Sequence, residues 1–500
     1  MDTLTNGLAI VAGRAPDAIA MVDGDRRIVY ADFWQQARQF AALLAQHGVQ
    51  KGDRVAILLP NRIEAAIACY GTWLAGAVAV PLNVQAKQRD LVAWLGHCGA
   101  SFVLYEDRNR EARAALAEQT ATLPSLVLGS AAWALPQIPE PAPARTNVAA
   151  GELALILYTS GTTGTPKGVM LSHSNLVSNV GSVLDYLQLT ASDSVMSLLP
   201  FYYAYGASVL HTHLLSGACV HLAPNLLFPH QIVETMAREG ITGFSGVPST
   251  FALLLDRVHL DQYDLGTLRY LTQAGGAMSP ALTLRLRESL PHARLFVMYG
   301  QTEATSRLTR LPPDRLADKL GSAGIAIRDV ELKILRDDGS AADTGEDGNV
   351  LARGAGVMLG YWENPELTAT VLRDGWLHTG DMGHLDADGF LYLCGRRSDM
   401  IKTGAHRVHP NDVEEVIAEM PGVIEVAVVG VEDEILGQVV KAFVVAHDTP
   451  ARAAERIKAH CRKHLAQYKI PRIVEFTSAL PRTASGKIKR IQLMEQHAEP

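Results

Sequence analysis

Leu153-Ala154-Leu155-Ile156-Leu157-Tyr158-Thr159-Ser160-Gly161-Thr162-Thr163-Gly164-Thr165-Pro166-Lys167-Gly168 is an apolar run that feeds a loop of three glycines, five Ser/Thr hydroxyls and a lysine. The apolar run reads as a buried strand. Glycines let backbone N–H groups approach anionic oxygens, the hydroxyls add donors and Lys167 adds charge, so the loop is built for phosphate. It is not a Walker P-loop, which needs four residues between its glycines followed by Gly-Lys-Ser/Thr. Here two residues separate Gly161 from Gly164, and Gly168 follows Lys167, leaving no hydroxyl at the magnesium-binding position.

Outward from the loop, strand and helix patterns alternate. Phe33 to His47 predicts an amphipathic helix, Arg54 to Leu59 a buried strand, Glu64 to Ala75 a helix and Ala77 to Pro81 a strand. Such alternation predicts an α/β fold with largely buried sheets in layers. Ala132 to Ala144, with four prolines, predicts a stiff surface connector. Near residue 330 the texture changes. Leu332–Leu335 and Gly348–Arg353 predict short strands around Asp337-Asp338-Gly339, and Asp386-Ala387-Asp388-Gly389 predicts a second turn, so about 330–397 forms a small β-rich subdomain. Beyond Arg396, Pro410 suits the first turn of a helix carrying Val413, Ile417 and Met420 on one face. Strands at Val426–Val431 and Ala442–Val445, a helix from Ala453 to Leu465 and a strand at Ile473–Phe476 follow. The expected division is a large N-terminal domain over 1–397 and a small, mobile α+β C-terminal domain over 398–500.

The bulk numbers agree. Five hundred residues exceed one ordinary core, and 48% hydrophobic content is that of a globular protein. A net charge of −7 argues against a nucleic-acid partner. Cys69, Cys98, Cys219, Cys394 and Cys461 have no metal-ligand spacing and read as reduced, buried thiols. The start at Met1 lacks a signal-peptide pattern. The most apolar segment, Ala65 to Leu82, is broken by Gly71, Gly76 and Pro81, which predicts a buried helix running into a strand and no membrane span. A cytoplasmic enzyme is the expectation.

Four further stretches follow the loop: Tyr299-Gly300-Gln301-Thr302-Glu303, Trp376-Leu377-His378-Thr379-Gly380-Asp381, Gly395-Arg396 through Lys402, and Pro481-Arg482-Thr483-Ala484-Ser485-Gly486-Lys487. In this order, and across nearly the whole chain, the set resembles the adenylate-forming superfamily of acyl-CoA synthetases, peptide-synthetase adenylation domains and luciferases. It is most similar to a stand-alone acyl-CoA synthetase. The resemblance implies that Thr159, Ser160, Gly161, Thr162, Thr163 and Lys167 wrap the β- and γ-phosphates of ATP. It implies that Thr302 binds the α-phosphate and Glu303 the Mg²⁺, a hard-oxygen ligand for a hard cation. Tyr299, with Gly300 beside it, would stack on adenine, and Gly275, Gly276 and Ala277 would line the ring. Asp381 would take the ribose hydroxyls, with Arg396 near ribose or phosphate. Lys487, in a Gly/Ser-flanked arm, holds the position of the catalytic lysine, where it stabilises charge spreading over carboxylate and phosphoryl oxygens during attack on the α-phosphorus.

The implied reaction joins a carboxylate and ATP into an acyl-adenylate with release of pyrophosphate; a thiol then displaces AMP. The acceptor is CoA or, alternatively, the pantetheine of a separate acyl carrier protein, since no carrier segment follows Lys487. Between the steps the C-terminal domain swings, withdrawing the lysine and presenting the loop from Lys402 to Pro410. Two positions depart from the pattern: Ser398 replaces the usual Asp or Lys at the pivot, and Ala405 replaces glycine beside the thiol tunnel. Tyr203 stands where α-amino-acid enzymes place aspartate, leaving an ammonium without a counter-charge and disfavouring that class. Tyr203, Tyr205, Phe244, Val247 and Met298 are the acyl-pocket candidates. Met298, where relatives carry glycine, should shorten or bend the pocket toward a compact or medium acid. An inactive nucleotide-binding protein is the remote alternative, opposed by Lys167, Glu303, Asp381, Arg396 and Lys487. A phosphotransferase would give ADP in place of AMP.

Overall fold

The apolar run becomes the strand Leu153–Thr159, which pairs antiparallel with Lys167–Ser172 so that Thr159 faces Lys167 across the ladder. The computed structural model describes residues 2–118, 123–129, 135, 148–159, 166–223, 227–404, 406–433, 436–447, 452–483 and 488–495. The expected connector at 132–144 lies outside them except for Leu135.

Two large sheets dominate. One has seven strands, in the order Gly360–Tyr361, Lys167–Ser172, Leu153–Thr159, Val78–Pro81, Arg54–Leu58, Ala100–Glu106 and Ser125–Leu128. Its last five strands run parallel. The other has nine strands, with a parallel centre running from Arg294–Tyr299 through Tyr270–Gln273, Gly243–Gly246, Ser194–Ser197 and Cys219–Leu222 to Ile19–Asp23. A shared core joins both sheets, including Met21 and Val220 from one, Ile57 and Leu155 from the other, and helical Phe33, Phe40, Tyr70 and Trp73 between them. The expected α/β layers are therefore observed.

The helix Ile63–Leu74 has all twelve residues buried. That explains its near-continuous apolar sequence: a helix packed on every side has no polar face. A Cβ on Gly71 would lie 2.7 Å from the carbonyl oxygen of Ala37, so this glycine lets the helix Tyr30–Gln46 cross in direct contact. Trp73 Nε1 donates to the Ala154 carbonyl at 2.7 Å and ties the helix to the central strand. Its one carboxylate, Glu64, is ion-paired with Arg62 at 2.7 Å and Arg26 at 2.6 Å, and Arg62 reaches on to Glu106 at 2.9 Å. Charge is buried here only where it is paired.

A third sheet holds Val330–Leu335, Gly348–Gly354, Trp376–Leu385, Leu372–Arg373 and Leu391–Arg396. The Asp386–Gly389 turn closes a hairpin, as expected. The Asp337-Asp338-Gly339 turn does not link the two flanking strands directly. It folds Leu335 back onto Ala341, and the chain then returns to pair Gly348–Gly354 with Val330–Leu335. The fourth sheet is built from Ile401–Thr403, His406–Val408, Val423–Asp433, Gly437–Ala446 and Ile473–Phe476. Pro410 occupies the first turn of the helix Pro410–Ala418, with Val413 and Ile417 fully buried; Met420 falls just past its end. Arg407 from the fourth sheet and Arg397 meet Asp337 of the third at 3.4 and 3.3 Å.

Cys69, Cys98 and Cys461 are buried, and Cys219 and Cys394 are half-buried, all as free thiols. Cys394 donates to Asp347 at 2.9 Å, and the same oxygen meets His384 Nδ1 at 2.7 Å, a trio no linear spacing announces. Among the described residues, no helix is long and apolar enough to cross a membrane.

Three core histidines give the fold an acid limit. Burial depresses His173 to about 4, His211 to about 3 and His213 to about 4. Unfolding returns each to near 6.5, so below that pH the unfolded chain binds more protons than the native one. Stability therefore falls as pH drops from about 6.5 towards 4, by up to about 1.4 kcal/mol per pH unit for each histidine. Urea unfolding across this range should show that slope, and His211→Gln should flatten it; an unchanged slope in the variant contradicts the assignment.

Candidate active site

Thr159 and Lys167, the described ends of the loop, pair across the ladder. Gly168 is pinned: its carbonyl accepts from Trp362 N at 2.8 Å, and a Cβ there would lie 2.9 Å from Ile156 and 3.3 Å from Trp362. Trp362 Nε1 donates to the His97 carbonyl at 3.0 Å. Tyr158 stacks on Trp94 with centroids 5.6 Å apart, and its hydroxyl meets His97 Nδ1 at 2.8 Å. The root of the loop is thus fixed from both sides. Ser160, Gly161, Thr162 and Thr163 of the loop, together with Ala405 and Lys487, lie outside the described residues.

The strand Lys167–Ser172 carries the link onward. Val169 pairs with Tyr361, and the Tyr361 hydroxyl donates to Glu303 Oε1 at 2.9 Å. Met358 N donates to the Glu303 carbonyl at 2.8 Å. Glu303 sits in a single 3-10 turn, Thr302–Ala304, which ends at Thr305 with φ of 62°. Thr305 is held there by a 2.6 Å bond from its hydroxyl to the Gly356 carbonyl. The other oxygen of Glu303 has no hydrogen-bond partner among the described residues, so the carboxylate offers a free, hard donor.

Asp381 forms the second acidic point. Its Oδ2 accepts from the Tyr299 hydroxyl at 2.6 Å and its Oδ1 lies 3.3 Å from Arg396 Nε. Asp381 and Arg396 are cross-strand partners in the hairpin of the third sheet, which fixes their meeting by register. Thr379 accepts from Asp381 N at 3.1 Å and donates to the Val350 carbonyl at 2.7 Å. Burial, then the Asp381 charge, pushes the Tyr299 phenol well above its ordinary value, so it remains a donor. Burial works against the charge of Arg396, but Asp381, Asp399 and Glu303 outweigh it and raise the guanidinium. Both acids thus act on one cation. Gln301 Nε2 and Gln273 Oε1 are buried without a hydrogen-bond partner among the described residues. Gln273 Nε2 donates to the Gly276 carbonyl at 2.8 Å, next to Gly275, which packs on Val247, and the exposed Ala277. Orphaned polar atoms, two acids and a basic side chain fit a nucleotide and its magnesium.

The acyl-pocket candidates divide. Tyr205 donates to the Thr272 carbonyl at 2.8 Å, and Met298 is buried beside Tyr186, Phe296 and Tyr270 with Tyr205 packed against them. Val247 lies close by Gly275. Phe244, in contrast, faces Phe251 at 5.7 Å on the opposite side of the strand Gly243–Gly246. Strand alternation gives the Tyr205 side to Ser245, whose hydroxyl meets Thr272 Oγ1 at 2.7 Å. Tyr203 caps the helix Ala204–Ser216, with its ring 4.7 Å from Tyr202; burial pushes its phenol up to about 12. Ser398 lies in a 3-10 turn and donates to Asp399 at 2.9 Å. Tyr361 and Ser245 were not legible in the sequence: each meets its partner, Glu303 or Thr272, only through the fold.

A family model described as AMP-binding enzyme matches residues 8–362, and one described as AMP-binding enzyme C-terminal domain matches residues 412–487. A 2-succinylbenzoate–CoA ligase of Geobacillus kaustophilus is 35% identical over 505 residues, covering 99% of this chain and 98% of the relative. The structure of an anthranilate CoA ligase in complex with anthranoyl-AMP superposes with a TM-score of 0.91 at 27% identity, covering 99% of this chain and 97% of that one. An o-succinylbenzoate coenzyme A synthetase from Bacillus subtilis, in complex with ATP and magnesium ion, superposes with a TM-score of 0.84 at 31% identity over 98% of this chain and 99% of that one.

Gly300 is the tightest joint of the site. A Cβ there would lie 2.1 Å from the Ser306 carbonyl oxygen and 2.7 Å from Arg307 Cα, backbone atoms that cannot rotate away. Gly300→Ala should destabilise the protein by about 1–3 kcal/mol in urea unfolding; wild-type stability would contradict the packing described.

Proposed function

This chain belongs to the AMP-binding enzyme family, and we propose that it activates a carboxylic acid with ATP and then forms a thioester. In the first step a carboxylate oxygen attacks the α-phosphorus, giving acyl-AMP and pyrophosphate. In the second a thiol attacks the acyl carbonyl and AMP leaves with the oxygen that came from the acid. The observation that carries this reading is the convergence of Glu303 and Asp381, each tethered by a tyrosine, around Arg396, with Tyr361 paired to the strand Lys167–Ser172.

On this reading Tyr299 supports adenine, and Gly275, Gly276, Ala277 and Gly300 shape its slot. Asp381 accepts from the ribose hydroxyls, with Arg396 moving toward ribose or phosphate as they bind. Thr159 and Lys167, with Ser160, Gly161, Thr162 and Thr163, take the outer phosphates, and Thr302 the α-phosphate. Glu303 would hold Mg²⁺, whose charge offsets that of the phosphates; Tyr361 orients the carboxylate for it. Such preorganised donors and charges lower the barrier without rearranging during the reaction.

Residues 1–397 would form the adenylating body and 398–500 the lid, with Ser398 as pivot. The stretch that would guide the thiol is a β-hairpin, Ile401–Thr403 against His406–Val408, and Ala405 would lie along the tunnel. CoA is the proposed acceptor; a carrier protein's pantetheine presents the same thiol, and side-by-side thioester assays separate the two. A cytoplasmic setting supplies ATP and CoA together. Tyr203, Tyr205, Val247 and Met298 would border the acid.

Lys487→Ala should lose most pyrophosphate exchange, by about 100-fold or more, while keeping ATP binding by calorimetry. Near-normal exchange in that variant would sink the assignment of Lys487.

A further inference from the structure

Arg307 is 3% exposed. Every other buried Asp, Glu, Lys or Arg among the described residues has an ion-pair partner: Arg62 with Glu64 and Glu106, Asp193 with Arg269, and Lys441 with Glu475. Arg307 has none among them. Its Nε donates to the Met298 sulfur at 3.3 Å, its Nη1 donates to Ser306 Oγ, and its guanidinium carbon lies 4.1 Å from the centroid of the Tyr205 ring. A thioether, a hydroxyl and a ring face are all neutral acceptors, and sulfur is a weak one. A guanidinium fork matches a carboxylate far better, through two parallel N–H bonds.

Its position is specific. The Arg307 backbone abuts Gly300, one residue from the tyrosine at the nucleotide site, while its side chain reaches Tyr205 and Met298. Arg310 adds a second cation, 5.4 Å from the Tyr186 ring, again with no acidic partner among the described residues. Tyr186 in turn donates to the same Met298 sulfur at 3.0 Å. Positive charge is therefore concentrated beside Tyr205 and Met298, which the proposed function places along the acid, and no protein carboxylate among the described residues answers it.

We propose that Arg307 receives a second carboxylate at the far end of the substrate, so that the preferred acid is a dicarboxylate activated at one end and anchored at the other. This rests on the acid-activating reading above. The anchor would set length as well as charge, because the Tyr299–Gly300 turn and the guanidinium are fixed relative to each other. It would also disfavour an unsubstituted alkyl chain, which would leave the cation buried and unanswered.

Pyrophosphate exchange with matched pairs of monocarboxylic and dicarboxylic acids of equal length, aliphatic and aromatic, tests this in the wild type, Arg307→Met and Arg307→Lys. The wild type should prefer the diacid in at least one pair. Arg307→Met should lower the diacid-to-monoacid ratio of kcat/KM by about 100-fold or more, mainly through KM. Arg307→Lys should restore part of that ratio. A wild type that prefers the monoacid in every pair overturns the proposal, as does an Arg307→Met variant that loses both acids alike. If Arg307→Met does not fold, the wild-type preference and Arg307→Lys decide. Exchange with monoacids alone would defeat this inference and leave the acid-activating reading intact; exchange with no acid at all would defeat both.

Discussion

The strand Lys167–Ser172 must pair on both edges, with Leu153–Thr159 on one side and Gly360–Tyr361 on the other. That double pairing positions the site. On one edge it sets Thr159 opposite Lys167, the two described ends of the glycine- and hydroxyl-rich loop. On the other it delivers Tyr361 to Glu303, nearly sixty residues away in sequence. The strand can hold this position because its partner Leu153–Thr159 is anchored from beneath by Trp73 and the wholly buried helix Ile63–Leu74. A shift of one residue would turn every side chain to the opposite face and separate the loop from its acid.

The electrostatic design follows the same economy. Two carboxylates, Glu303 and Asp381, are each held by a phenol and share the influence of Arg396. The phenols orient the carboxylates by hydrogen bonds, and one oxygen of Glu303 has no partner among the described residues. Away from this point the core tolerates charge only in pairs, as around Arg62 and Glu64. Arg307 breaks that rule at the place where a substrate would supply the missing partner.

Much of this was legible in the chain. The loop at 158–168, the Tyr299–Glu303 stretch and Asp381 lie in short motifs whose residue types carry their own chemistry, and the alternation of Arg54–Leu58, Ile63–Leu74 and Val78–Pro81 announced the layers. What escaped depends on register and on contacts between distant segments. Phe244 and Ser245 are neighbours, and only the sheet decides which of them faces Tyr205. Tyr361 is ordinary in sequence and gains meaning from Glu303, which it reaches because its strand pairs with Lys167–Ser172; Thr379 lies in the Trp376–Asp381 stretch, but its bond to the Val350 carbonyl depends on the ladder. Arg307 stands four residues after the Tyr299–Glu303 stretch, and its lack of a counter-charge exists only once burial is known. The Asp337-Asp338-Gly339 turn was right as a turn but not as a direct link, because residues 340–347 make a further excursion before the return strand.

The claim underlying all of this is that attack occurs at the α-phosphorus by the acid's own oxygen. Supplying an oxygen-18-labelled carboxylic acid with ATP and CoA, and following the phosphorus resonance of the released nucleotide, tests it directly. The account predicts AMP carrying one labelled oxygen from the acid, formed together with pyrophosphate. Unlabelled AMP, or ADP with orthophosphate, would contradict it.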